Sequence, residues 1–167
     1  PALKELSRRA PGTYQHSLWI ATLVEEGAEA IGANGLLAKV GAYYHDLGKL
    51  AAAAESGLPR GASDSPLFFA ENQGVGVNPH DHLTPHVSAR ILRKHVELSI
   101  KMIRKYRLGR RVEDIAAQHH GTSLMLHFYN KARLISEEEG TIVDEKDFRY
   151  TGPRPQSKEA ALVMLAH

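Results

Sequence analysis

The chain has 167 residues, a formal net charge of +2 and no cysteine. That length fits one domain of ~100–200 residues, and a domain near this size buries about 70% of its unfolded surface and needs no covalent staples. Disulfides and thiolate metal sites are excluded, so any metal must take nitrogen and oxygen ligands. Ten dispersed histidines are the oddest feature of the composition. No apolar run approaches the ~18 residues of a membrane span, and the N-terminus carries no signal-peptide pattern, so this piece is expected to be soluble.

Residues 1–10 are polar and basic and read as a linker from an upstream region, or as a frayed helix. Pro11-Gly12 reads as a breaker and Thr13 as the cap of the next helix. From about Tyr14 to Ile31 the apolar residues Ile20, Leu23, Val24, Gly27 and Ile31 recur at helical spacing. His16 precedes Ile20 by four residues and shares that inward face. Gly32 and Asn34 mark a break, and Asn34 can cap the following helix. There, Leu37, Val40, Gly41, Tyr44 and His45 share one face over residues 36–47. His45 is thus inward and Asp46 one step round, with Gly48 as the stop.

Residues 50–83 read as a long loop, the kind that in a compact domain is either functional or disordered. His80 and His82 stand at its end, in Asn78-Pro79-His80-Asp81-His82. Thr84-Pro85 predicts the start of a helix running to about Tyr106. Its inward face holds Ser88, Ile91, Leu92, His95, Leu98 and Met102. Its outer face carries Arg90, Arg93, Lys94, Lys101, Arg104, Lys105 and Arg107. That face reads as solvated surface, or as a steering field for an anionic substrate or acidic headgroups. A shorter helix from about Val112 places Ile115, Ala116 and His119 on one side and ends at His120-Gly121. Another spans about Ser123 to Glu138 and breaks at Gly140. Residues 143–156 read as a loop. Ser157 can cap a final helix that aligns Ala160, Val163, Met164 and His167. No alternating strand pattern or repeat appears, so the fold class is all-α.

The chemistry centres on Tyr43-Tyr44-His45-Asp46-Leu47-Gly48-Lys49. Imidazole and carboxylate are both first-row metal ligands, and a carboxylate has two oxygens with which to bridge two ions. A histidine on an apolar helix face is, taken singly, more often a hydrogen-bonded core residue. Here the event recurs at His16, His45, His95 and His119, with His120 beside the last. Each would cost desolvation without a shared purpose. A metal centre removes the conflict, because neutral imidazole coordinates through one nitrogen and donates from the other. The nitrogen-rich set suits Fe, Mn, Zn, Co or Ni better than Mg or Ca. Two ions roughly 3.5–4 Å apart can clamp a phosphoryl group, which points to phosphoester hydrolysis.

These residues resemble the HD-domain phosphohydrolase superfamily, named for its His-Asp doublet. Further runs resemble one subfamily: Pro11-Gly12-Thr13-Tyr14-Gln15-His16-Ser17, Glu71-Asn72-Gln73 with Asn78-Pro79-His80-Asp81, Gln118-His119-His120-Gly121-Thr122-Ser123, Asp147-Phe148-Arg149-Tyr150 with Gly152-Pro153, and Lys158-Glu159-Ala160-Ala161. That subfamily is the intracellular HD domain of the seven-transmembrane, PgpH-type receptors, which are cyclic di-AMP phosphodiesterases. The resemblance implies an HD-domain helical bundle over residues 11–167, with one long loop insertion at Ala51 to Ser65. It implies a centre of two divalent transition metal ions, iron or manganese, held by His16, His45, Asp46, His95, His119 and His120. The family adds an aspartate after a Val-Met-Leu-Ala run. Here Val163-Met164-Leu165-Ala166 is followed by His167, so a histidine stands at that ligand position and the domain reads as truncated there.

By the same resemblance the reaction is hydrolysis of cyclic di-AMP to pApA by a metal-activated hydroxide. Asp46 is assigned to bridge the ions and Lys49 to offset charge on the phosphate oxygens; otherwise Lys49 is an exposed helix end. Tyr150 stacks on adenine or simply packs. Thr122 donates to phosphate or caps the next helix. The implied partners are cyclic di-AMP or a related nucleotide and a covalently linked transmembrane region, with the domain at the cytoplasmic face of the membrane and a possible homodimer. Nucleic-acid binding is disfavoured, since the basic helix lacks interleaved aromatics beyond Tyr106. The rival readings are an HD hydrolase of another nucleotide and a domain that binds a cyclic dinucleotide without hydrolysing it.

Overall fold

The computed structural model of the chain describes residues 1–50 and 79–167, and the insertion expected at 51–65 lies outside them. Seven α-helices occur among the described residues. They are α1 (Ala2–Arg9), α2 (Pro11–Ala30), α3 (Gly35–Tyr44), α4 (Pro85–Lys105), α5 (Arg110–Gln118), α6 (Leu126–Glu139) and α7 (Lys158–Ala166). Short 3-10 turns cover Leu47–Leu50, Pro79–His82 and Glu145–Phe148. The described residues contain no strand beyond an isolated bridge between Leu124 and Arg149. The all-α reading stands.

Local rules explain most boundaries. Asn34 Oδ1 accepts the Leu37 N–H, Thr84 Oγ1 that of Val87 and Ser157 Oγ that of Ala160, so all three caps form as their sequences imply. Pro85 occupies the first turn of α4, where a missing N–H costs nothing. Gly140 closes α6 in the left-handed region. On α4, Ser88, Ile91, Leu92, His95, Leu98 and Met102 are all buried, as their spacing requires.

Several expectations are corrected. Of the linker and the frayed helix read at residues 1–10, a helix forms over Ala2–Arg9 and is held in place, because Ala2, Leu6 and Ala10 form an apolar stripe that packs with Leu47, Leu50, Met102 and Ile103. Thr13 does not cap α2. The helix starts at Pro11, and Thr13 is buried inside it. The inward face of α2 is built from Thr13, Ser17, Ile20, Ala21, Val24 and Ala28, while Leu23 is 60% exposed and Ile31 also lies outside. Small residues win that face because they let α3 approach, bringing in Ala38 and Ala42. Gly41 continues the pattern toward α5, since a Cβ there would lie 2.5 Å from Ile115 Cδ1. α6 begins at Leu126 rather than Ser123. Residues 123–125 pair instead with 148–150, through Met125 N–H to Phe148 O (2.8 Å) and Tyr150 N–H to Ser123 O (3.0 Å). Thr122 therefore caps no helix; the residue at the α6 cap is Met125.

Among the described residues no helix is long and apolar enough to cross a membrane.

Candidate metal centre

Five helices and one turn bring the ligand types together. His16 lies on α2, and His45 ends α3. Asp46 follows, and the 3-10 turn Leu47–Leu50 docks on α4, where Gly48 donates its N–H to Ser99 Oγ. Gly48 is not the helix stop the sequence suggests; it is a point of backbone contact. His95 projects from α4 and His119 ends α5, with His120 next to it. His167 follows α7, its N–H bonded to Val163 O at 3.0 Å.

Three of the imidazoles are oriented by the same device. His45 Nδ1 lies 2.7 Å from Ala42 O, His95 Nδ1 2.5 Å from Leu92 O and His119 Nδ1 2.7 Å from Ala116 O. A carbonyl can only accept, so each Nδ1 carries the hydrogen and each Nε2 presents a bare lone pair. Those lone pairs converge. His95 Nε2 and His119 Nε2 are 3.2 Å apart. Asp46 Oδ2 lies 3.3 Å from His45 Nε2, and Asp46 Oδ1 lies 3.3 Å from His95 Nε2 and 3.8 Å from His119 Nε2. Acceptors facing acceptors at these distances repel unless a cation lies among them.

The buried polar atoms carry the same message. His45 Nε2, both Asp46 carboxylate oxygens, His120 Nε2 and His167 Nε2 are buried without a hydrogen bond of acceptable geometry among the described residues. Lys49 Nζ, 2.8 Å from Asp46 Oδ2, supplies one positive charge but does not satisfy the nitrogens. Neutral nitrogen donors with a single carboxylate and no sulfur fit a divalent transition metal. The donors form two groups whose ligand atoms lie within 4.8 Å of one another: His16, His45, Asp46 and His167, and then His95, His119 and His120. Asp46 stands between them, with Oδ2 toward His45 and Oδ1 toward His95 and His119.

Electrostatics hold the donors in their ligating forms. Burial alone would raise the Asp46 pKa, but Lys49, His45 and His95 together hold the carboxyl well below the usual range. Burial, followed by neighbouring histidines, pushes His119 well below the ordinary histidine value. Burial and His95 lower His120 strongly, and burial with His45 pushes His167 down to about 3. These imidazoles are neutral at pH 7.

All seven residues expected as ligands are therefore brought together. Lys49 is not an exposed helix end; it is 2% exposed and lies at Asp46. Tyr150 stacks on His120, with centroids 3.9 Å apart and planes 7° from parallel. Thr122 joins neither group: its hydroxyl accepts from Arg154 and its carbonyl from Arg149. Sequence reasoning assigned no role to Ser99 or to His80, which is buried against Phe128. The Asn-Pro-His-Asp run was the available signal for His80.

A helical domain that turns a buried His-Asp pair inward to meet histidines from four helices is an HD domain, and the chain belongs to this family: the HD domain model matches residues 13–64. Within it, the chain is similar to the HD domain of the phosphodiesterase PgpH from L. monocytogenes, whose crystal structure it matches with 41% identity and a TM-score of 0.83, covering 99% of this chain and 70% of that one. The same HD domain has been solved in complex with cyclic-di-AMP, with the same identity and TM-score. The cyclic-di-AMP phosphodiesterase PgpH of Bacillus subtilis (strain 168) is 46% identical over 166 residues, and that of Listeria monocytogenes serotype 1/2a (strain 10403S) is 42% identical over 166 residues. Each alignment takes in 99% of this chain, which spans about a fifth of either relative (21%).

Proposed function

We propose that this domain is a metal-dependent phosphodiesterase that hydrolyses cyclic di-AMP to the linear dinucleotide pApA. The observation that carries the reading is the convergence of bare Nε2 lone pairs on both oxygens of the buried Asp46. The activity named for its relatives supplies the substrate. In the reaction, a water oxygen adds to phosphorus, the bond from phosphorus to the 3′ oxygen breaks, and that oxygen takes up a proton.

His16, His45, Asp46 and His167 would hold one ion and His95, His119 and His120 a second, with Asp46 shared between them. The donor set suits a range of divalent transition metals, and within that range the family resemblance points to iron or manganese. When bound, such ions supply Lewis acidity toward phosphate oxygens and a nucleophilic water at neutral pH. The protein's own part is positional. The Nδ1 bonds to backbone carbonyls keep the imidazoles in one tautomer and one orientation. Lys49 offsets the negative charge of the carboxylate and of an incoming phosphate. Tyr150, stacked on His120, offers an aromatic face beside the centre, and Thr122 offers a hydroxyl two residues from His120. On this reading the domain is the intracellular part of a longer membrane-anchored protein and works at the cytoplasmic face.

One observation favours a second reading. Among the described residues Asp46 is the single carboxylate in the two groups, and His167 stands where the resemblance implies an aspartate. A centre with that lower negative charge suits a domain that binds the cyclic dinucleotide and signals without cleaving it. Chromatographic detection of pApA from cyclic di-AMP, in Mn²⁺ and in EDTA, separates the two. Metal-dependent product formation supports the phosphodiesterase; tight binding with no pApA in Mn²⁺ overturns it in favour of the binding domain.

A further inference from the structure

The candidate ligands are not all held by one device. His45, His95 and His119 each turn Nδ1 to a backbone carbonyl three residues earlier in the chain. Asp46 is held by Lys49. His120 has neither kind of anchor. Among the described residues no hydrogen bond reaches its ring, and its Nε2 is buried without a partner. It also lies beyond the helix. α5 ends at Gln118 with His119 as its cap, so His120 stands in the turn that follows. Gly121, in the left-handed region at φ +53°, then leads the chain away. A donor on a turn needs support from another element, because metal affinity depends on how firmly the donor is oriented before the ion arrives.

Tyr150 is placed to give that support. Its ring and that of His120 have centroids 3.9 Å apart and planes 7° from parallel, whereas His119 and His167 meet the His120 ring at 42° and 84°. A parallel stack restrains an imidazole through its face and leaves Nε2 for an ion. Tyr150 is itself well fixed. Its N–H donates to Ser123 O at 3.0 Å, and its side chain is buried in the cluster with Leu92, Met125 and Phe148. The preceding residue, Arg149, donates from Nη1 to Thr122 O at 2.8 Å. Thr122 and Ser123 follow His120 by two and three residues. The segment that carries the tyrosine is thus fastened to the segment that carries the histidine, and the stack closes the loop between them.

We propose that Tyr150 is a positioning residue that orients His120 for the ion it would hold with His95 and His119. This rests on the reading of the site as a metal centre, and it holds whether the domain cleaves the cyclic dinucleotide or only binds it. Tyr150 then acts before any nucleotide arrives, unlike a tyrosine that only packs or only stacks on a base.

The test is calorimetric titration of the metal-free domain with Mn²⁺ and no nucleotide. His120→Ala identifies the binding step that belongs to the ion at His95, His119 and His120. Tyr150→Leu keeps an apolar side chain in the core and removes the flat face. It should weaken that step by about tenfold or more, as loss of a ligand's supporting partner does, and leave the ion at His16, His45, Asp46 and His167 within about threefold. Tyr150→Phe keeps the ring and should bind both ions within about threefold of the parent. In the His120→Ala background Tyr150→Leu should change nothing further, because the tyrosine acts through that ring. If Tyr150→Leu does not fold, Tyr150→Met takes its place, since an unbranched side chain adapts to irregular gaps.

Parent affinity for both ions in Tyr150→Leu would overturn the proposal. So would a loss in Tyr150→Phe as large as that in Tyr150→Leu, or an undiminished further loss when Tyr150→Leu is added to His120→Ala. If the parent binds no Mn²⁺, the metal-centre reading fails on its own. The stack is then judged by the His120 ring resonances of the metal-free domain, which Tyr150→Leu must shift and broaden; unchanged resonances overturn it.

Discussion

Gly48 meets Ser99 backbone to backbone: a Cβ on Gly48 would lie 2.2 Å from Ser99 N and 2.3 Å from His95 O. The Gly48 N–H also donates to Ser99 Oγ over 2.9 Å. This one contact fixes the turn that carries Asp46 against the helix that carries His95. Neither backbone can yield cheaply. Gly48→Ala should therefore destabilise the domain by about 3 kcal/mol or more, at the upper end of overpacking costs. Ser99→Ala, which only orphans the buried N–H, should cost about 1–3 kcal/mol. Urea unfolding measures both. A Gly48→Ala variant as stable as the parent would show that the two elements do not dock this way.

Lys49 and Asp46 form a buried ion pair, with side chains 1% and 0% exposed. Removing one partner leaves the other charged and buried, a change that typically costs about 3–5 kcal/mol. Lys49→Met should lower the stability of the metal-free domain by an amount of that order. Metal should recover part of the loss, since a cation at Asp46 replaces the missing ammonium. Chemical denaturation with and without Mn²⁺ reads this out. Equal losses in the two conditions would separate Lys49 from the centre.

Acid should destabilise the metal-free domain early. The histidines at 119, 120 and 167 have pKa values depressed from the ordinary 6.5, that of His167 to about 3. Below pH 6.5 the unfolded chain binds protons that the folded chain refuses, so stability falls as pH falls. At pH 5 the loss is roughly 2 kcal/mol for each such histidine. Asp46, whose pKa is lowered, contributes stability that is lost only below its usual range, near 3.8 and downward. Thermal melts of EDTA-treated protein from pH 8 to pH 5 should show Tm dropping steadily below about pH 6.5. A flat Tm over that range would contradict the assigned burial.

Much of this was legible in the sequence because it depends on local rules. The caps at Asn34, Thr84 and Ser157 are one-residue signals, and the inward placement of His45 and His95 follows from helical period. What stayed hidden depends on tertiary contact. The α1 stripe of Ala2, Leu6 and Ala10 is too short to stand out among basic residues. Leu23 followed the helical pattern yet faces outward, because close packing of α2 on α3 favours alanine and serine over leucine. The burial of Lys49 could not be read from a Gly-Lys pair at a helix end; it arises because the turn folds under α4. The pairing of 123–125 with 148–150 spans too many residues for any local signal.

Elemental analysis of the protein, purified without chelator and compared with Asp46→Ala, tests the central claim most directly. The account predicts about two transition metal ions per chain in the parent and near-complete loss of metal in the variant, with helical circular dichroism retained. A parent that binds no metal when saturated with Mn²⁺ or Fe²⁺, or an Asp46→Ala variant that keeps the parent's full complement, would contradict it.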